Sequence, residues 1–279
     1  MQTDSIVSMG NSLVQHGPAN NRVYLLKLDP RDLPDIIDAI CDLGHTNGYS
    51  KLFARVPATA YRQFTARGFI EEALVPAMCK GKCSGIFMSR YLDKARAVPR
   101  DSKLIARVLE TARRNAQQPT KLYDTDNVVQ LDAAHADELA GIYSRVFESY
   151  PFPIHDPEFI RQSMKNNVIF FGIRNSGNLV AVASAEMDKS WGCAEMTDFA
   201  TLQEHQGTGA AGTLLTRMET VMHARGIHTT YTIARAESFG MNIVFAKRGY
   251  MFSGTLYNNT QIGGTLESMN VWHKKIAAR

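Results

Sequence analysis

Apolar positions along this chain switch repeatedly between the two-residue period of strands and the 3.6-residue period of helices. The sharpest case lies between Ala194 and Gly226. An apolar extended segment, 194–201, runs toward the small-residue stretch Gln206-Gly207-Thr208-Gly209-Ala210-Ala211. A helix follows in which Leu214, Leu215, Met218, Val221 and Met222 form one stripe, and Gly226 sits where a C-terminal cap belongs. Upstream, the pattern predicts a strand over 128–131, a helix over 133–147, a short helix over 157–165, and a hairpin of 168–174 with 179–187 across residues 175–178. Downstream it predicts a strand at 229–234, a helix at 238–247 and closing strands at 251–256 and 268–274.

The first third of the chain repeats part of that order. A strand at 23–28 and a helix at 33–43 precede a strand at 51–56, a helix at 59–66 and a strand pair at 70–74 and 85–91. Phe64-Thr-Ala-Arg67-Gly68-Phe69, preceded by Ala54-Arg55, echoes Phe245-Ala-Lys-Arg248-Gly249-Tyr250, preceded by Ala234-Arg235, and an internal repeat explains the echo. The copies are not equivalent. Where the second has its glycine run, the first has Leu28-Asp-Pro-Arg-Asp-Leu-Pro34, with two prolines and no glycine. Residues 1–97 therefore read as a degenerate half-domain that packs against the rest of the chain or against a second subunit in a homodimer. Residues 98–125 read as a connector, its helix capped by Asp101 and ending near Gln117-Gln-Pro119, and residues 126–279 as the functional domain.

Composition narrows the class. A chain of 279 residues with 44% hydrophobic and 21% charged positions suits a soluble protein of two ordinary domains. The net charge of +4 is spread along the chain, which argues against nucleic acid as a partner. No apolar run approaches the ~20 residues of a membrane span, and residues 1–13 lack the basic-then-apolar order of a signal peptide, so a cytoplasmic protein without membrane contact is expected. Cys41, Cys79, Cys83 and Cys193 show no pairing framework. Cys79 and Cys83 have no second Cys or His pair nearby to complete a zinc site, so no metal is expected.

The glycine run carries the chemistry. Gly207 and Gly209 let an anion approach backbone N–H groups, and the start of the following helix favours negative charge, so the turn suits a pyrophosphate. A P-loop would need Lys-Ser or Lys-Thr where Ala210 and Ala211 stand. Gly207-Thr-Gly209-Ala-Ala-Gly212 matches the dinucleotide pattern G-x-G-x-x-G, but no acid follows about 20 residues on, where Arg225-Gly226-Ile227-His228 stands. Gln206-x-x-Gly209-x-Ala211 resembles instead the Q/R-x-x-G-x-G/A loop of the GNAT superfamily of N-acetyltransferases, which holds the pyrophosphate of acetyl-CoA.

That resemblance implies an α/β fold with a mixed sheet, the GNAT acyl-CoA N-acyltransferase fold, preceded by a degenerate GNAT-like half-domain. Within the superfamily the chain is similar to the β-lysine N-acetyltransferases, through Tyr150-Pro-Phe-Pro-Ile-His-Asp-Pro157, Ala194-Glu-Met-Thr-Asp-Phe-Ala200 and the degenerate N-terminal half. It implies acetyl-CoA as co-substrate, a small cationic amino acid, β-lysine, as acceptor, and N6-acetyl-β-lysine as product. Another small amine, such as lysine or a diamine, and a non-catalytic acyl-CoA-binding protein are the alternatives.

The resemblance also implies site residues. Thr201, Leu202, Gln206, Gly207, Thr208, Gly209, Ala210 and Ala211 are expected on the cofactor, with backbone donors near Thr201 and Leu202 for the acetyl oxygen, joined by Asn242 and Phe245 from the later helix. Phe245 stands where many members carry a tyrosine acid, which leaves Tyr250, Tyr257 or unaided thiolate departure for that role. An ammonium with a pKa of about 10.4 must lose a proton before it attacks, and Glu195 is expected as base. Simple alternation puts Glu195, Thr197 and Phe199 on one strand face and Asp198, the second choice, on the other. Tyr150, His155, Asp156 and Glu237 are candidates for the substrate's remaining ammonium, and Arg235 for its carboxylate.

Overall fold

In the computed structural model, which describes residues 4–118 and 123–276, strands of both copies join one mixed sheet. The first copy supplies β1 (Ser5–Met9), β2 (Ser12–Gly17), β3 (Arg22–Lys27), β4 (Lys51–Pro57), β5 (Ile70–Cys79) and β6 (Cys83–Tyr91). The second supplies β7 (Val128–Leu131), β8 (Val168–Asn175), β9 (Asn178–Asp188), β10 (Cys193–Thr201), β11 (Thr229–Arg235), β12 (Met251–Ile262) and β13 (Thr265–Lys275). Their order is β1-β2-β3-β4-β6-β5-β12-β13-β11-β10-β9-β8-β7. Each half thus carries one parallel pair, β3 with β4 and β10 with β11, among antiparallel neighbours, and the two arrangements run inward from opposite edges. They meet at β5 and β12, which are bridged through Gly254 and Ala73. The hairpin of β1 and β2 was not expected from the sequence, because its polar positions blur the alternation.

Helices sort by face. In the first half Leu52, Ala54 and Val56 of β4 pack with Ile36, Ile37 and Ile40 of α1 (Asp35–Thr46) and Phe64 of α2 (Tyr61–Thr65). The alternate side of β4 carries Phe53, which joins Val75, Met78 and Phe87 in a core with Cys193, Tyr231, Leu256 and Val271. The helix-free side of one half therefore closes on the other half. The connector forms α3 (Ser102–Ala116), whose cap Asp101 accepts from the Leu104 N–H at 2.8 Å, as expected; the predicted end at Pro119 lies outside the described residues. In the second half α4 (Ala136–Val146) and α5 (Pro157–Asn166) cover one face. The other face is covered by α6 (Ala210–Ala224) and α7 (Phe239–Lys247), with Leu109 and Ala112 of α3 packed alongside.

The contact between halves is also polar. Lys51 Nζ donates to Glu72 at 3.0 Å and to the Tyr257 carbonyl at 2.8 Å, with both charged side chains buried. Arg96 donates to the carbonyls of Asn20, Asn21 and Asn258 at 2.6, 2.6 and 3.0 Å. Burial without a carboxylate partner costs such groups free energy unless every donor finds an acceptor, and these carbonyls fill that role. Among the described residues no helix is long and apolar enough to cross a membrane.

Candidate active site

The sheet opens at its second parallel pair. β10 and β11 stay in register only from Cys193 and Thr229 to Glu195 and Tyr231, then diverge, so Glu195 stands at the apex of the gap. Beside it, β10 is irregular. Thr197 faces Ser184 and Ala200 faces Val182, which leaves one extra residue in β10, and Asp198 takes up a positive φ of 54°. The bulge reverses the expected alternation. Asp198 lies on the Glu195 side, where its carboxylate accepts from Ser184 Oγ and Tyr150 OH, each at 2.5 Å. Phe199 turns to the opposite side and meets Phe245 edge-on, centroids 5.6 Å apart.

Three carboxylates thereby share one recess. Glu186 is the register partner of Glu195 on β9, and the charge of Asp198 reaches both. Glu195 and Asp198 are half-buried and Glu186 is exposed, so all three keep contact with solvent. Burial and the neighbouring Glu186 push Glu195 up to about 8, against the pull of Arg55 and of the nearby Tyr231 hydroxyl. Burial, then Asp198, raises Glu186 as well, and burial raises Asp198 despite its bonds from Ser184 and Tyr150. Clustered carboxylates of this kind resist full ionisation and welcome a cation.

The first half of the chain reaches into the same recess. Arg55 of β4 donates to Tyr231 OH at 3.0 Å and to Asp188 Oδ2 at 2.8 Å, and its guanidinium lies 4.9 Å from the Trp191 ring centroid. Tyr24 of β3 feels the charges of Glu195, Glu186 and Arg55, and burial drives its hydroxyl up to about 12. Arg55, Tyr24, Tyr231 and Glu186 were not singled out from the sequence. Arg55 did stand in the repeated Ala-Arg pair, but its destination depends on how the halves close.

At the loop, Gly207 and Gly209 have φ of +77° and +94°, which favours glycine at both. Among the described residues the backbone N–H groups of 207–212 have no acceptor within the chain, and a Cβ on Gly207 would project into open space. Six free donors at the start of a 15-residue helix fit a pyrophosphate. Gln206, Thr208, Ala210 and Ala211 border this surface, and Thr208 Oγ1 donates to the His205 carbonyl at 2.8 Å. Gly212 has a separate role: a Cβ there would meet the Tyr123 ring at 2.5 Å.

Other expected contacts are placed elsewhere. The Leu202 N–H donates to the Val180 carbonyl at 3.0 Å, and Thr201 pairs with Ala181, so β10 is joined to β9 there and splays from β11 instead. Asn242 is fully buried. Its amide donates to the Arg235 and Ser238 carbonyls and its oxygen accepts from Asn270 and Trp272, so its polar side-chain atoms are engaged within the chain. Phe245 is a core residue, 1% exposed, with its ring 5.0 Å from that of Tyr250. Tyr250 is itself buried and its hydroxyl is bonded to Thr230 at 2.9 Å, while Tyr257 is exposed. Arg235 is held by Glu267 through two contacts of 2.6 Å, and Glu237 by Arg100 at 2.7 Å. Asp156 caps α5 through the Glu158 N–H at 2.9 Å, and His155 beside it is exposed. Of the candidates for the substrate, Tyr150 alone is joined to the recess by a hydrogen bond recorded among the described residues.

A mixed sheet that opens beside an amide-lined loop is the build of a GNAT N-acetyltransferase, and residues 136–250 match the profile of the Acetyltransferase (GNAT) family. The chain is 37% identical to the β-lysine N6-acetyltransferase of Methanococcus maripaludis, an alignment covering 97% of this chain and 98% of that one. It is 29% identical to N-acetyltransferase YodP of Bacillus subtilis over 98% and 99% of the two chains, and 29% identical to the β-lysine N6-acetyltransferase of Methanosarcina mazei over 85% and 96%. This chain belongs to the GNAT family of N-acetyltransferases.

Proposed function

We propose that the chain transfers the acetyl group of acetyl-CoA to the N6 amine of β-lysine, with residues 126–279 as the catalytic domain, 98–125 as its connector and 1–97 as a degenerate copy. Acetyl-CoA supplies a thioester, whose C–S bond breaks as the new amide bond forms, and the departing CoA thiolate takes up the second proton that the nitrogen sheds. Loop 206–211 binds its pyrophosphate through the free N–H groups. Glu195 takes one proton from the N6 ammonium and so frees the lone pair that attacks. Amides of β10 beyond Glu195, on the side that β11 leaves, face the acetyl oxygen as charge develops on it. Asp198 and Glu186 attract the cationic substrate, and Tyr150 fixes Asp198.

The observation that carries this reading is the position of Glu195: at the apex of the splayed pair, raised to about 8 and flanked by two further carboxylates. A base with such a pKa suits an ammonium better than an ordinary carboxylate does. The names of the relatives in Methanococcus maripaludis and Methanosarcina mazei support β-lysine as the acceptor. A screen of acetyl transfer to β-lysine, lysine, ornithine and spermidine, with the acetylated nitrogen located by NMR, tests it. β-Lysine acetylated at N6 with the highest kcat/KM is expected; a better acceptor would replace it, and acetyl-CoA binding without transfer would leave a binding protein. Glu195→Gln is expected to lower kcat by roughly 10²–10⁴ with acetyl-CoA affinity kept.

A further inference from the structure

Arg55 belongs to the half of the chain that has no glycine loop, yet its guanidinium sits behind the proposed base. It is placed by β4, whose side chains at 51, 53 and 55 face the second half, and by the Trp191 ring beneath it. One amino group donates to Tyr231 OH, the other to Asp188 Oδ2, and Nε is buried without a protein acceptor among the described residues. Tyr231 is the register partner of Glu195 across the parallel pair, is 5% exposed, and cannot use its hydroxyl proton toward Arg55, which only donates. That proton is free to turn toward Glu195, its neighbour across the pair, whose ionised form the hydroxyl favours.

We propose, on the reading of Glu195 as base, that Arg55 is a positioning residue of the active site: through the Tyr231 hydroxyl it orients Glu195 and keeps it able to accept a proton. The need is electrostatic. Glu195 faces Glu186 and Asp188 from β9, Cys193 and Asp198 from its own strand, Tyr231 from β11, Tyr24 from β3 and Arg55 from β4. Most of these are acidic or neutral, and Arg55 is the cation whose charge favours the ionised base. The N-terminal half would thus take part in catalysis without touching either substrate.

The test is the pH dependence of kcat in Arg55→Met, Arg55→Lys and Tyr231→Phe. A base acts only when deprotonated, so loss of a cation that lowers its pKa moves the rising limb of kcat to higher pH. Arg55→Met is expected to shift that limb up by about one unit, a roughly tenfold loss of kcat at pH 7 that is recovered at high pH. Tyr231→Phe, which keeps volume and leaves Arg55 in place, is expected to shift it in the same direction, and Arg55→Lys to restore part of the loss. A second readout needs no turnover: the carboxylate ¹³C signal missing from Glu195→Gln should titrate at higher pH in Arg55→Met than in the parent protein. A uniform fall in kcat with limb and titration unmoved would overturn the inference and leave Glu195 as base. Full activity in Glu195→Gln would instead overturn the reading beneath it.

Discussion

Asp198 lies on the same side of the sheet as Glu195 although the two are three positions apart, an odd spacing that regular alternation would send to opposite faces. The extra residue in β10 produces this, and it gives Asp198 a defined electrostatic role. Its charge disfavours the ionised form of Glu195, while its position offers a partner to an incoming ammonium. Asp198→Asn should therefore move the rising limb of kcat to lower pH and raise KM for the amine, by about tenfold for a lost charged hydrogen bond of ~1.5 kcal/mol. Steady-state kinetics across pH 6–10 would show it. An unmoved limb with unchanged KM would place Asp198 outside the site.

The loop can be tested by size and charge separately. Gly209 has a φ of +94°, where an L-residue is strained, so Gly209→Ala should weaken acetyl-CoA binding a few-fold and lower Tm slightly. Gly209→Asp adds a carboxylate where the pyrophosphate is proposed to lie and should weaken binding by a further ~100-fold. Calorimetric titration of both variants gives the comparison. Equal affinities for the alanine and aspartate variants would move the pyrophosphate away from this turn.

The raised pKa of Glu195 also costs stability, and the sign is fixed. Its carboxyl holds a proton up to about 8 in the folded chain, against an ordinary value of 4.5. Between those limits the folded state binds more protons than the unfolded state, so stability falls as pH rises through the window. Glu195→Gln should thus melt above the parent protein at pH 8 and beyond, by about 2–4 °C for each kcal/mol relieved, and the gap should close toward pH 4.5. Scanning calorimetry at several pH values is the measurement. An inactive but more stable variant is the expected result.

At the joint between halves, Gly254 has a φ of +150°, and a Cβ there would lie 2.0 Å from the Glu72 carbonyl. Backbone on β5 cannot yield as a side-chain end can. Gly254→Ala should cost about 1–3 kcal/mol by overpacking and loosen the β5–β12 contact. Because Arg55 and Tyr24 reach the recess across that contact, activity should fall along with Tm although the substitution is remote from Glu195. Wild-type kinetics at an unchanged Tm would show that the joint tolerates a side chain.

Much of the second half was legible because its signals are local. The stripe of α6, its cap at Gly226, the 175–178 turn and the glycine run each lie within a short window of sequence. What escaped the sequence depends on pairing between distant segments. The bulge at Asp198 exists only relative to β9, and without that register nothing in Thr197-Asp198-Phe199 distinguishes it from regular strand. Asn242 looks like a helix-surface contact until Asn270 and Trp272 fill its oxygen. Arg235 and Arg55 occupy like places in the repeat, yet one is held by Glu267 of its own half and the other crosses to Tyr231 and Asp188. The repeat and the loss of the glycine run from its first copy were visible in the sequence, and the different destinations of these two arginines were not.

The seam between β5 and β12 joins two halves that one chain already tethers. Where such a site is shared between separate subunits, turnover per subunit declines as the enzyme is diluted toward its dissociation constant. Here Arg55 and Tyr231 cannot be parted by dilution, because the linker holds them at a fixed effective concentration. Specific activity should stay level across a wide range of enzyme concentrations.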